Sequence, residues 1–315
     1  MTNEQKIAVK RYGRKKIRET SILTKRNKAE KVLYGIVFVI FVIYSLSLFF
    51  PFLFLFNNSL KGSLEYLKDI TKGTSLALPD KPLFSNYIEA FTGMKKIDSM
   101  GNEIYLPKMF LNSILYCLFT VGGGVAASSL TAYVLAKYRF KLRAFFYGIA
   151  IFSMTLPIIG SAGANFKLAY SLGIYNTWFY PILTGFGGFG FNFLILYGFF
   201  SNLSWSYAEA VFIDGGGHGT AFLRIMLPQA GPAILTLAIM AFISAWNDYT
   251  TVLMYLPDYP NLAAGIYGIK LSLKRNGNVP VYYAGLIVSI IPVIAIFIGF
   301  SDTIMSNFTV GGLKG

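Results

Sequence analysis

Two stretches of this chain carry side chains that could do chemistry. The first is Trp246-Asn247-Asp248-Tyr249, set inside an otherwise apolar run. An amide and a carboxylate beside aromatic rings match what sugars bind: partners for hydroxyls, and a flat apolar face. A carboxylate at mid-membrane depth costs about 3 kcal/mol on insertion scales, so Asp248 has to face a cavity or a partner helix. Direct sugar contact and a structural or gating role both remain open for these four residues. The second stretch runs from Ser206 to Pro232. Ser206-x-x-Glu209 has the spacing of a capping box, which predicts a short helix through Ala210, Val211 and Ile213. Asp214-Gly215-Gly216-Gly217 should stop that helix, because glycine accepts the left-handed angles of a helix C-terminus. A second helical piece, Thr220 to Met226, is expected to present Phe222, Ile225 and Met226 as an apolar edge. Leu227-Pro228 and Pro232 then redirect the chain. An apolar edge on two short helices suits a groove on another protein. A helix lying on headgroups would favour Lys and Arg on its polar face, and here only His218 and Arg224 stand beside Glu209 and Asp214.

Other chemistries find little support. His218 is the single histidine and Cys117 the single cysteine, and the 14 acids are dispersed, so neither a metal site nor a catalytic cluster is expected. No Gly-x4-Gly-Lys-Ser/Thr occurs, so this chain should bind no nucleotide through a phosphate loop, nor any other cofactor. The formal charge of +14 does not point to nucleic acid, because the basic residues cluster beside apolar spans.

The elements that must position these stretches are membrane helices. The chain is 55% apolar with only 13% charged residues, against about a quarter charged in soluble domains. Six apolar runs approach the ~20 residues needed to cross a bilayer: 32–56, 110–136, 144–166, 177–200, 230–256 and 281–307. The third contains Thr155, Pro157, Gly160, Ser161 and Gly163, which predicts a kink or an early end. The first is too long for a signal-peptide core and lacks a small-residue cleavage site, so it reads as a retained helix. Residues 1–31 form a basic arm with eleven Lys/Arg against three acids, and Lys137, Arg139, Lys141 and Arg143 have no acid among them. Both belong on the cytoplasmic side. The 61–108 loop, with seven Lys and six acids, is nearly neutral and faces outward. Six crossings then place both termini, the 201–229 segment and the 308–315 tail in the cytoplasm. Lys270, Lys274 and Arg275, in the loop 257–280, are the counter-signal. The glycine runs Gly122-Gly123-Gly124 and Gly185–Gly190 predict close helix approach.

The pattern Glu209-Ala210-(x)3-Asp214-Gly215, followed by Ile225-x-Leu227-Pro228, resembles the EAA loop of binding-protein-dependent ABC importer permeases. Pro82-Leu-Phe-Ser-Asn-Tyr, Leu111-Asn-Ser-Ile, Ala132-Tyr with Tyr138-Arg-Phe, Trp246-Asn-Asp-Tyr and Gly311-Gly-Leu-Lys-Gly are similar to the carbohydrate-uptake, maltose-permease-like branch. The resemblance covers the chain from about residue 32 onward. It implies an all-α polytopic membrane protein of type I importer architecture in a bacterial plasma (inner) membrane. It implies a second homologous permease lining the path for an oligosaccharide, and two ATPase subunits that bind ATP and magnesium themselves. Those subunits would grip Glu209, Ala210, Asp214, Gly215, Phe222, Ile225, Leu227 and Pro228. An extracellular or periplasmic solute-binding protein would meet the loop with Lys270, Lys274 and Arg275. The tail, with Gly311, Gly312, Lys314 and Gly315, would run toward the ATPase interface. Trp246, Asn247, Asp248 and Tyr249 are the candidate substrate path. The cationic outer loop is compatible with an acidic sugar. Two departures, Val211 and Gly216 where the family often has Ala, should loosen local packing without removing the turn. An ion-coupled carrier or channel would need paired intramembrane charges, and a membrane-embedded enzyme would need clustered acids; the sequence offers neither.

Overall fold

The computed structural model describes residues 28–155 and 160–310. The chain divides into two compact units, Met1–Phe54 and Leu55–Gly315. The first contributes most of helix α1, Lys28–Ser59. It carries no charge between Val32 and Phe56 and is apolar all round, the composition of a helix solvated by lipid.

In the second unit, α2 (Ser63–Thr71) and α3 (Ser85–Gly93) lead into a small antiparallel hairpin, β1 (Lys95–Ile97) and β2 (Glu103–Tyr105). The long α4, Leu106–Lys137, begins with Pro107 in its first turn, where the missing amide costs nothing. A π-turn at Leu118–Gly122 adds a residue to its middle. Then come α5 (Arg143–Thr155), α6 (Ala162–Ser171), α7 (Phe179–Gly185), α8 (Phe191–Asn202) and α9 (Ser206–Ile213). They are followed by α10 (His218–Gln229), α11 (Gly231–Trp246), α12 (Tyr249–Tyr255), α13 (Leu262–Asn276) and α14 (Val279–Val310).

Two apolar cores lie at opposite ends of α4 and α11. One joins α3, the start of α4, the end of α11, α13 and α14 through Ala90, Leu106, Met109, Trp246, Leu262 and Ala284. The other joins the end of α4 to α8, α9 and α10 through Tyr133, Phe193, Leu196, Phe200, Ala208 and Met226.

Among the described residues, three helices are long and apolar enough to cross a membrane: Glu30–Ser59, Leu106–Lys137 and Val279–Asp302. The pair α10 and α11, bent by 73°, meets the same test taken together. The expected first, second and sixth runs are thus continuous helices. The other three are each divided. The third splits between α5 and α6, and its Pro157 lies outside the described residues. The fourth splits at 186–190, between α7 and α8. The fifth splits at Asn247–Asp248, between α11 and α12. The split of the third run agrees with the kink expected there, whereas counting apolar residues cannot see the breaks in the fourth and fifth, because the side chains that satisfy the freed backbone groups lie far away in sequence. Thr131 Oγ1 donates to the Gly188 carbonyl at 2.8 Å, and Asn261 Nδ2 donates to the Asp248 carbonyl at 3.0 Å. The predicted close approach of the glycine runs is present. A Cβ on Gly185 would sit 2.5 Å from the Phe119 carbonyl oxygen in the π-turn of α4.

Candidate functional site: the hinged segment and the broken span

The 206–229 segment is two helices joined by a glycine turn. The Gly216 amide donates to the Val211 carbonyl at 2.8 Å and the Gly215 amide to that of Phe212 at 3.1 Å, with Gly215 at φ 79°. This is a Schellman stop with glycine in the left-handed position, as the sequence requires. The capping box is absent. Ser206 already lies inside α9, and the amide of Glu209 donates to the Trp205 carbonyl. The residue before the helix is Trp205, which has no side-chain cap, and Ser204 Oγ accepts from the Ser206 amide at 3.3 Å. The Glu209 carboxylate is therefore released from the helix end and exposed.

The expected apolar edge is also turned. Met226 is fully buried, and Phe222 packs on Tyr133 with ring centroids 4.7 Å apart. Ile225 and Leu227 are half-buried. The helical spacing was read correctly, but its apolar face covers the protein's own core. What faces outward is Tyr207, Glu209, Ala210, Ile213, Asp214, Gly215, Leu223 and Pro228, with Ile213 85% and Leu223 62% exposed. The two departures from the family pattern meet each other. A Cβ on Gly216 would lie 2.6 Å from Val211 Cγ1 and 3.0 Å from the Val211 carbonyl oxygen. The valine occupies the space an alanine at 216 would need, so the pair packs tightly rather than loosely.

The end of α4 holds this segment at two points. Lys137 Nζ donates to the Leu203 carbonyl ahead of α9. The Tyr138 hydroxyl bonds His218 Nδ1 at 2.8 Å at the start of α10. The Tyr138 ring also stands edge-on to Trp205 and to Tyr133, each at 5.7 Å. His218 contacts Phe212 at 4.9 Å. The sequence reading missed this role for His218 because Tyr138 is 80 residues away.

At the far end of α11 the four candidate path residues separate. Trp246 is 3% exposed, donates Nε1 to the Ser289 carbonyl at 3.0 Å and packs between Phe110 and Phe242. It is a core residue, and the sugar-face reading is corrected for it: an indole with both faces covered offers none. Asp248 caps α12, its Oδ1 accepting from the Thr251 amide at 3.0 Å and its Oδ2 from the Tyr116 hydroxyl at 2.9 Å. Both carboxylate oxygens are engaged, which is how this half-buried charge is tolerated. Asn247 and Tyr249 are exposed. Tyr249 stacks on Tyr267, a residue the sequence reading did not single out, at 4.6 Å and 21°.

Beside this region three loop segments are tied together. Asp258 accepts from the Ser99 amide at 2.8 Å and hydroxyl at 2.6 Å and from Asn176 Nδ2 at 2.5 Å. The Ser99 bonds hold its carboxyl below the usual carboxylate range. Lys270 is exposed on α13, while the side chains of Lys274 and Arg275 lie outside the described residues. So do the basic arm before residue 28 and the tail calls Gly311, Gly312, Lys314 and Gly315. Among the described residues no group of three or more His, Cys, Asp or Glu is arranged to hold a metal ion.

A mostly helical chain with at least three helices of membrane length and a glycine-hinged surface segment has the build of a membrane protein. The family described as binding-protein-dependent transport system inner membrane component matches residues 124–306, and the chain belongs to it. Its relatives are transport permease subunits. The chain is 26% identical to the diacetylchitobiose uptake system permease protein NgcG of Streptomyces coelicolor, over 87% of this chain and 86% of that one. It is 27% identical to the trehalose/maltose transport system permease protein MalG of Thermococcus litoralis, over 91% and 99%. It is also 27% identical to the sulfoquinovosyl glycerol transport system permease protein SmoH of Agrobacterium fabrum, over 84% and 89%. The fold matches the crystal structure of a bacterial ABC transporter involved in the import of the acidic polysaccharide alginate. The TM-score is 0.72 at 24% identity, covering 88% of this chain and 98% of that one.

Proposed function

We propose that this chain is one of two permease subunits of an ATP-driven importer of oligosaccharides in a bacterial inner membrane. It crosses the membrane six times, the divided helices completing crossings three to five, with both termini in the cytoplasm. A second, homologous permease lines the path with it. Two ATPase subunits, which carry ATP and magnesium, grip the 206–229 segment, and the tail from Gly311 to Gly315 runs toward the same interface. A solute-binding protein delivers the sugar at the opposite face, near Lys270, Lys274 and Arg275. Nucleotide-driven movement of the hinged segment tilts α11, and the bundle switches between two packings.

The observation that carries this reading is the outward face of α9. A short helix displays an exposed Glu209, its carboxylate without a hydrogen-bond or ion-pair partner among the described residues, with Ala210, Ile213 and Asp214 above a glycine stop. An isoleucine 85% exposed on such a helix has no reason to stay in water and fits a pocket on a partner. The apolar groove of about 450 Å³ between α4, α11 and α14, lined by Phe110, Cys117, Val121, Phe242 and Pro292, suits a helix or lipid tails rather than a sugar. The hydrophilic path therefore has to run elsewhere.

The test is Glu209→Lys in the co-expressed transporter. The variant is expected to keep its fold and membrane insertion but lose at least tenfold in co-purified ATPase subunit and in oligosaccharide uptake. Undiminished ATPase recovery and uptake would rule out α9 as the docking element.

A further inference from the structure

We infer that Tyr249 and Tyr267, with Asn247, form a stacking platform for a pyranose unit of the transported oligosaccharide; this rests on the importer reading above. Several tyrosine pairs touch in this fold, and this one differs from the others. Tyr180 and Tyr255 are also stacked, at 4.3 Å and 12°, but Tyr255 is buried and its hydroxyl donates to the Ala162 carbonyl. Tyr66 and Tyr283 bond each other through their hydroxyls, and the Tyr116 hydroxyl is spent on Asp248. Tyr249 is 40% exposed, and Tyr267 is half-buried behind it. Among the described residues neither hydroxyl has a hydrogen-bond partner.

The geometry suits a sugar. One ring backs the other at 4.6 Å, so the outer ring is held flat, and its 40% exposure leaves surface to cover the C–H face of a pyranose. The two phenol hydroxyls can donate to or accept from ring hydroxyls. Asn247 is exposed beside them; its Nδ2 is fixed by the Ile243 carbonyl at 2.8 Å, which leaves Oδ1 aimed by the helix end rather than free to spin. Lys270 lies one helical turn beyond Tyr267 and is exposed, a cation within reach of a carboxylate-bearing sugar.

The placement agrees. The platform stands where the fifth apolar run breaks, and interrupted helices mark substrate sites in transporters because the chain must leave helical geometry to line a cavity. Thr251, Tyr116 and Asn261 satisfy the freed groups around Asp248, so the break is rigid and the rings above it are pre-organised. Along α11 the platform is separated from α10 by 16 residues, roughly 24 Å of helix rise, so substrate contact and ATPase docking occupy opposite ends of one lever.

The test uses the complete transporter in proteoliposomes with its binding protein and radiolabelled tri- and tetrasaccharides, both neutral and uronate-containing. Tyr249→Ala is expected to lower the sugar imported per ATP hydrolysed at least fivefold, while ATP hydrolysis stimulated by loaded binding protein stays within twofold. Tyr249→Phe should retain half or more of the import, and Tyr267→Ala should reproduce the loss. Wild-type coupling in Tyr249→Ala would overturn the platform, as would a fall of import and hydrolysis in equal proportion, which marks a structural defect. Failure of the wild-type transporter to import any of these sugars would instead overturn the importer reading.

Discussion

Around α3, the start of α4 and α13, buried side chains bond the backbone of distant segments. Asn86 Nδ2 donates to the Ser59 and Lys61 carbonyls at 2.7 and 2.9 Å. Asn112 Nδ2 donates to the Pro260 carbonyl at 3.0 Å, and Ser113 Oγ accepts from the Leu262 amide at 2.7 Å. Lys61, fully buried, pairs with Asp69 at 2.7 Å and holds that carboxyl below its usual range. Around the 206–229 segment the contacts are chiefly rings: Tyr133, Tyr138, Phe200, Trp205, Phe212 and Phe222. Hydrogen bonds to backbone are directional and fix register. Edge-on aromatic contacts tolerate tilts and shifts while keeping most of their burial. The first end is built to stay put, and the second can pivot. That division is what a lever needs if force enters at one end and the path opens at the other.

The largest effect should come from the stitched end. Asn86→Ala strips two buried carbonyls, one of them at the C-terminus of α1, of the side-chain amide that donates to both. Leaving buried acceptors unsatisfied costs about 1–3 kcal/mol apiece, so a loss of roughly 3 kcal/mol is expected. Thermal unfolding of the purified chain in detergent checks it, with hydrogen exchange over residues 60–95 showing whether the opening is local. A change below about 1 kcal/mol would mean that this end is not held by its amide bonds.

These same residues show what the sequence could disclose. Asn86, Asn112 and Ser113 all fall in stretches that resemble the carbohydrate-uptake branch, yet their roles were invisible because their partners lie 27, 148 and 149 residues away. Lys61 read as an ordinary loop charge, since nothing local signals its burial. The glycine stop at 215 was legible because it depends on six consecutive residues, Val211 to Gly216. The capping box was misplaced because the sequence does not show that α9 starts at Ser206 itself, with the half-buried Trp205 before it packed edge-on to Tyr138. Trp246 was left open between a sugar face and a structural role because an aromatic residue beside polar ones looks the same in sequence whether it faces a sugar or a core. Helices α1, α4 and α14 follow from uninterrupted apolar runs. The breaks at 186–190 and at Asn247–Asp248 do not, since Thr131 and Asn261 supply their missing bonds from other elements.

An intermediate effect is expected at the hinge. Gly216→Ala puts a methyl 2.6 Å from Val211 Cγ1, an overpacking that costs about 1–3 kcal/mol. Combining it with Val211→Ala removes that clash and restores the small pair common in the family. The remaining neighbour, the Val211 carbonyl at 3.0 Å, should limit the recovery to half or more of the loss. Unfolding midpoints of the two single variants and the double variant form a cycle whose coupling term is the measurement. Additive losses would show that the two departures are unrelated, and the hinge would then be no more closely fitted than the aromatic contacts around it.

The smallest effect sharpens the comparison most. Tyr138→Phe deletes only the hydroxyl bonded to His218 and keeps the ring edge-on to Trp205 and Tyr133. If rings hold this end, the loss should stay below about 1 kcal/mol, the net worth of one exposed neutral hydrogen bond, and uptake should fall less than twofold. Tyr138→Ala also removes three ring contacts and should cost about 2–3 kcal/mol more. It frees the start of α10 from α4, so ATP hydrolysis should continue while sugar import per ATP drops. Equal losses from Phe and Ala would mean that one hydroxyl, rather than aromatic packing, anchors the pivoting end. The two ends would then be held by the same kind of bond, and their difference could no longer explain which of them moves.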